Sequence, residues 1–271
     1  MKSKKRILVA PLDWGIGHAT RCIPLIKELI KHKYEVIIAA NNRPLHLLIK
    51  EFPKLEFIRF PGYNVTYSRF INMKIAILLQ IPKLFITIKK ETKLLDKIIT
   101  DYNIDGVISD NRFGLSTKKI PCVFITHQLK IQTPFMSSIV QRINYNYIKK
   151  YNSCWIIDSK KNNLAGILSK PKKIPDNSVY IGPISRFKKK YEKKKYDFLA
   201  IISGPEPQRT VLEKEITKVL IKRKEKSLIV LGMPEKYYQK KINTVTIKSH
   251  LMADELNEAI LQSDLIICRP G

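Results

Sequence analysis

Apolar residues in this chain follow two alternating patterns. Short runs rich in β-branched residues alternate with longer stretches whose apolar positions recur every three or four residues. Ile7-Leu8-Val9-Ala10 predicts a buried strand. Cys22, Ile23, Ile26, Leu29 and Ile30 then predict a helix from Ala19 to Lys31. Strands follow at Glu35 to Ala39 and Leu55 to Phe60, with a short helix from Pro44 to Glu51 between them. Beyond Phe60 the pattern turns helical, and Pro82 predicts the start of a helix ending near Tyr102. Strands at Asp105 to Ser109, Cys122 to Thr126, Ser153 to Ile157 and Val179 to Ile181 complete the series, with a helix at Ser137 to Tyr151.

A second series begins after a charged stretch. It has strands at Asp197 to Ile202, Ser227 to Leu231, Thr244 to Ile247 and Leu265 to Cys268. Helices are predicted at Gln208 to Lys222 and Ala253 to Leu261. Such alternation predicts an α/β protein with parallel, helix-covered sheets, whose ligands bind beyond the carboxyl ends of the strands. Residues 185–195 carry almost no apolar side chain and read as a linker. The expected organisation is a first domain over 1–184 and a smaller second one over 196–271. Its last strand is followed by only Arg269-Pro270-Gly271, so an uncovered sheet face or edge is expected there.

Composition narrows the function classes. The chain has 271 residues and a formal charge of +27, supplied mainly by scattered lysines. Scatter favours solvated helix faces, although a basic surface also suits an anionic membrane. No RRM, KH, zinc-finger or helix-turn-helix signature is present, so no nucleic-acid partner is expected. Cys22, Cys122, Cys154 and Cys268 are far apart, without a CxxC pair, so no metal site is expected. The last three lie in or beside apolar runs and read as reduced core thiols. With no secretory signal, this points to the cytoplasm, with peripheral attachment to the inner face of the plasma membrane also open. Leu84, Phe85, Ile88, Leu94, Leu95, Ile98 and Ile99 form one helical stripe, which faces either the core or a membrane interface.

Three loops carry candidate chemistry. Gly15-Ile16-Gly17-His18 joins the first strand to a helix, where free N–H groups and the positive dipole end suit an anion or hydroxyl. His18 is placed to bind the ligand or take a proton from it. Without a third glycine this is not a dinucleotide fingerprint. Ser203-Gly204-Pro205-Glu206-Pro207-Gln208-Arg209 repeats the strand–glycine–helix arrangement in the second series and suits a diphosphate, with Arg209 adding charge. Asp110-Asn111-Arg112 and His127-Gln128 follow strand ends and should reach the same rim as His18. The bland alternatives, a structural turn and loop-capping side chains, stay open for each loop.

Together these segments resemble GT-B-fold glycosyltransferases, in particular the family of peptidoglycan lipid-intermediate N-acetylglucosaminyltransferases. The resemblance rests on Gly15-Ile16-Gly17-His18-Ala19-Thr20-Arg21, Ser109-Asp110-Asn111-Arg112, Ile181-Gly182-Pro183, Ser203 to Arg209, and His250-Leu251-Met252 with Ser263 to Gly271. It implies two Rossmann-like domains facing a cleft, the first for a hydroxyl acceptor and the second for a UDP-sugar. It implies a role in the cell envelope, an acceptor that includes the lipid-linked class, and no metal or other cofactor. It places His18, Asp110 and His127 at the reaction centre, with Gly15, Gly17, Arg21 and Asn111 at the acceptor. Ser203, Gly204, Gln208, Arg209, Leu251 and Gly271 fall on the nucleotide-sugar side, with backbone near Leu251 at the uracil. Family members continue beyond a position like Gly271 with a glycine-rich turn and a helix whose carboxylate binds ribose. The donor site of this chain is therefore expected to be incomplete. The alternatives are a UDP-sugar epimerase of the same fold and a non-catalytic protein that binds membrane surfaces.

Overall fold

The computed structural model describes residues 4–63, 81–131, 137–204 and 206–269. The helical pattern expected just after Phe60, and Gly271, lie outside the described residues.

Two sheets form. The first contains β1 (Arg6–Pro11), β2 (Glu35–Ala40), β3 (Glu56–Arg59), β4 (Gly106–Asp110), β5 (Cys122–Thr126), β6 (Ser153–Ile156) and β7 (Ser178–Tyr180). All are parallel, in the order β3-β2-β1-β4-β5-β6-β7. Its helices are α1 (Ile16–Lys31), α2 (Asn42–Glu51), α3 (Ile81–Tyr102) and α4 (Ser137–Ile148). One sheet face presents Val9, Ile38, Ile108 and Ile125 to Ala19, Cys22, Ile23 and Ile26 of α1 and Leu47 and Leu48 of α2. The opposite face presents Leu8, Ile37, Val107 and Phe124 to Leu95 and Ile98 of α3 and Ile148 of α4. Strands buried on both faces explain why they read as continuous apolar runs.

The stripe on α3 faces the core. Leu95 and Ile98 are buried, Leu94 and Ile99 pack against them, and Ile88 and Leu84 join Leu12, Tyr63 and Trp14. Phe85 departs from that expectation and lies exposed, its ring 6.3 Å from that of Tyr147. No helix among the described residues is long and apolar enough to cross a membrane.

The second sheet contains β8 (Tyr196–Ile201), β9 (Ser227–Val230), β10 (Gln239–Ile242), β11 (Val245–Lys248) and β12 (Ser263–Cys268), in the order β10-β11-β9-β8-β12. Its helices are α5 (Gln208–Ile221) and α6 (Ala253–Leu261). Strand β10 has no counterpart among the predicted elements. Three of its four residues are polar and exposed, so no apolar alternation marks it. It pairs antiparallel with β11 through the turn Asn243-Thr244, with Asn243 at φ 52°, as a tight hairpin requires. Cys268 is exposed at the end of the edge strand β12 rather than buried like Cys22, Cys122 and Cys154. Leu265 and Ile266 on that strand are exposed too. The segment 185–195 has neither helix nor strand. It is pinned to α6 by paired hydrogen bonds between Lys188 backbone and the Asn257 amide.

Candidate active site

Both sheets reverse their strand order around their first strand. In the first, β1 lies between β2 and β4; in the second, β8 lies between β9 and β12. A crevice opens beyond the carboxyl ends of the strands at such a reversal. Register places Pro11 beside Asp110 at the first crevice and Ile201 beside Cys268 at the second. The two halves meet here: a side chain at Gly232, just after β9, would lie 3.6 Å from Cδ1 of Ile16 at the start of α1. Further contacts join the halves. The Ala253 N–H donates to Glu51 Oε1 at 2.6 Å, and Arg43 pairs with Glu235 at 2.8 Å and Glu206 at 3.5 Å.

Four side chains converge at the first crevice. His18 and Arg21, three residues apart on α1, share a helix face. Asp110 ends β4, and His127 follows β5. Arg21 donates from Nε to Asp110 Oδ2 at 2.6 Å and from Nη2 to Oδ1 at 2.5 Å. Its Nη1 reaches His127 Nδ1 at 2.6 Å and its Nη2 reaches His18 Nδ1 at 2.5 Å. His18 Nδ1 lies 3.3 Å from Asp110 Oδ1.

Asp110 is fully buried. Burial works against its charge, but His18 and Arg21 outweigh it and hold the carboxyl below its usual range. Burial, then the charges of Arg21 and His18, push His127 down to about 4. The strand ends predict His18, Asp110 and His127 on one rim, and the structure brings these three together with Arg21. Arg21, expected on the acceptor, spends four of its five N–H bonds inside the cluster.

The glycines serve differently from expectation. Gly15 has an extended backbone, φ 164°, open to any residue, and supplies no left-handed turn. Among the described residues, a side chain added at Gly15 or Gly17 would meet nothing within 4 Å. The glycines therefore leave open space in front of α1, whose first turn has no side-chain cap. Asn111, at φ 60°, turns the chain sharply after β4 and sends Arg112 inward. Arg112 and Glu91, both fully buried, form an ion pair at 2.7 Å behind the rim. Tyr63 donates to Glu91 at 2.9 Å, and Arg112 donates to Pro11 O at 3.3 Å and to Pro61 O. Glu91 was not singled out from sequence. Its signal was a lone carboxylate on the apolar stripe that also carries Ile88, Leu95 and Ile98.

At the second crevice, Gly204 takes φ +113°, which only glycine adopts readily, and the guanidinium of Arg269, the residue after β12, packs over it. Gln208 opens α5. Arg209 is buried, bonded to Glu206 at 2.6 Å and Glu213 at 2.8 Å, so two carboxylates already neutralise it. Of these arginines, Arg269 has the charge left to offer, with no carboxylate partner among the described residues. Leu251 packs inward between β11 and α6 with Leu228 and Leu256. His250 beside it has a buried Nε2 without a hydrogen-bond partner among the described residues. Burial, then Lys50 and Arg186, lower its pKa to about 4. Among the described residues no cluster of His, Cys, Asp and Glu could hold a metal ion.

The two depressed histidines give a pH prediction. Unfolded, each titrates near 6.5; folded, each titrates near 4. Between these values the unfolded chain binds more protons, so stability falls as pH drops from 6.5 to 4. The combined loss is on the order of a few kcal/mol. Urea unfolding at pH 7, 5.5 and 4.5 should show it, and H127Q with H250Q should flatten the slope. A slope that the double variant leaves unchanged would contradict these assignments.

No protein-family model and no curated protein sequence matches the chain. Solved structures do. A glycosyltransferase of Streptomyces sp. SF2575, SsfS6, complexed with thymidine diphosphate, superposes with a TM-score of 0.58 at 12% identity, over 97% of this chain and 76% of that one. A putative UDP-N-acetylglucosamine 2-epimerase from Listeria monocytogenes gives 0.52 at 12% identity, over 99% and 75%. S. aureus MnaA, in a co-structure with UDP, gives 0.52 at 14% identity, over 98% and 74%. At such identities the likeness is one of fold. With its two sheets, each reversing strand order around its first strand, the chain has the GT-B fold, two Rossmann-like units, seen in the glycosyltransferase and the putative UDP-N-acetylglucosamine 2-epimerase it superposes on.

Proposed function

We propose that the chain is a UDP-sugar-dependent glycosyltransferase that moves N-acetylglucosamine or a similar sugar to a hydroxyl acceptor. The observation that carries this reading is the pair of strand–glycine–helix turns, one at each strand-order reversal, with the two halves in contact where Gly232 meets Ile16 at the start of α1. The turn at Gly204, the start of α5 and Arg269 suit the diphosphate, because N–H groups, a helix dipole and a guanidinium stabilise the charge that builds on the leaving group. Ser203 and Gln208 flank that turn, and the Leu251 backbone takes the base. His18, beside the open space at Gly15 and Gly17, orients the acceptor hydroxyl. Transfer then inverts the sugar carbon and needs no metal. The acceptor is a cell-envelope hydroxyl compound, including the lipid-linked class, met in the cytoplasm or at the inner membrane face.

Neighbouring epimerases keep a second reading in view, since they share the fold without needing an acceptor. Against it stands the carboxylate supply: the carboxylate in the His18 cluster, Asp110, already accepts from Arg21 through both oxygens. UDP release from UDP-N-acetylglucosamine, measured against a panel of hydroxyl acceptors, tests the proposal. Release should require an acceptor; no release with any acceptor would count against it.

A further inference from the structure

The cluster around Arg21 carries an inference about protons. A guanidinium has no lone pair and stays charged across the pH range of proteins. A ring nitrogen held 2.5 or 2.6 Å from it must therefore present a lone pair. Both His18 Nδ1 and His127 Nδ1 are so placed. The competing arrangement for His18, an Nδ1–H donating to Asp110 Oδ1, has the longer separation of 3.3 Å and would press that hydrogen against the Arg21 Nη2. Asp110 does not need it, because Arg21 already serves both its oxygens. The hydrogen bond made by one imidazole nitrogen decides which nitrogen keeps the proton.

We propose that Arg21 is a positioning residue that holds His18 and His127 in the Nε2–H tautomer, so that the empty site meets its ligand with two imidazole N–H donors and not with a ready base. The ligand group that fits is an oxygen lone pair, and reading it as the acceptor hydroxyl rests on the function proposed above. Neither Nε2 has a partner among the described residues, and neither is sealed from solvent. For His18 to act as a base, Arg21 Nη2 must first withdraw from Nδ1. Nε2 then releases its proton to water, and Nδ1 takes one from water and keeps it in a hydrogen bond to Asp110 Oδ1. The ring stays neutral, and its lone pair now lies on Nε2. The groups facing His127 are Arg21 and His18 from α1, Asp110 from β4 and Asp158 beyond β6.

Imidazole nitrogen NMR tests this directly. The ¹⁵N-labelled chain, without ligand at pH 7, is examined by long-range ¹H–¹⁵N correlation, with His18→Gln and His127→Gln providing assignments. Both rings should show a protonated Nε2 and a bare Nδ1. In Arg21→Lys one ammonium nitrogen cannot reproduce four contacts that the guanidinium makes from three separate nitrogens. His18 should then gain Nδ1–H population. An Nδ1–H on either wild-type ring would overturn the proposal, and so would tautomers unchanged in Arg21→Lys. Should that variant fail to fold, the wild-type spectrum decides alone. The spectra need neither donor nor acceptor, so absent turnover would refute the transferase reading and leave this result standing.

Discussion

Glu91→Ala is expected to lower the unfolding free energy by about 3–5 kcal/mol, the cost of leaving one member of a buried ion pair without its partner. Arg112 has no exposed surface, so its guanidinium would keep its charge with no water to receive it. Tyr63 and the Gly114 N–H would lose their acceptor in the same step. The damage should spread, because Arg112 also ties the backbone at Pro11 and Pro61, the ends of two chain segments leading into the rim. Urea unfolding measures the effect. Glu28→Ala, which breaks an exposed pair with Lys31, is the control and should leave the midpoint unchanged. A loss under about 1 kcal/mol for Glu91→Ala would show that the cluster tolerates an unpaired arginine.

The second large effect concerns His18. His18→Ala should reduce acceptor-dependent UDP release by about 10²–10⁴-fold, the range for removing a side chain that positions or transfers a proton. His18 stands at the start of α1, where the missing side chains of Gly15 and Gly17 leave room for a ligand. Its Nδ1 is occupied by Arg21, so Nε2 is the nitrogen left for the proposed acceptor. The loss should fall on kcat, and circular dichroism should show the fold retained. His32→Ala, on the exposed carboxyl end of the same helix, should retain full activity. Equal activity of the two variants would remove His18 from the mechanism.

How much of this was legible in the sequence depended on the range of the interaction. Strands buried on both faces announced themselves as apolar runs, and β5 and α6 were bounded to the residue. Strand β10 was silent because an exposed edge needs no apolar pattern. In the site, His18, Asp110 and His127 were legible because the βα alternation places strand ends on one rim. The role of Arg21 was not, since nothing local says that Asp110 and His127 lie within reach of its guanidinium. Arg209 was a missed local signal: Glu206 and Glu213, three residues before it and four after, sit at helical spacing to neutralise it. Arg269 over Gly204 depends on β12 pairing with β8, which the order of elements along the chain does not reveal.

The measurement that bears most directly on the central claim follows UDP-N-acetylglucosamine with the chain by NMR, with and without a hydroxyl acceptor. The account predicts free UDP and a glycosylated acceptor only when both substrates are present, and an unchanged sugar nucleotide when the acceptor is withheld. Conversion of the sugar nucleotide to its 2-epimer without acceptor would contradict it.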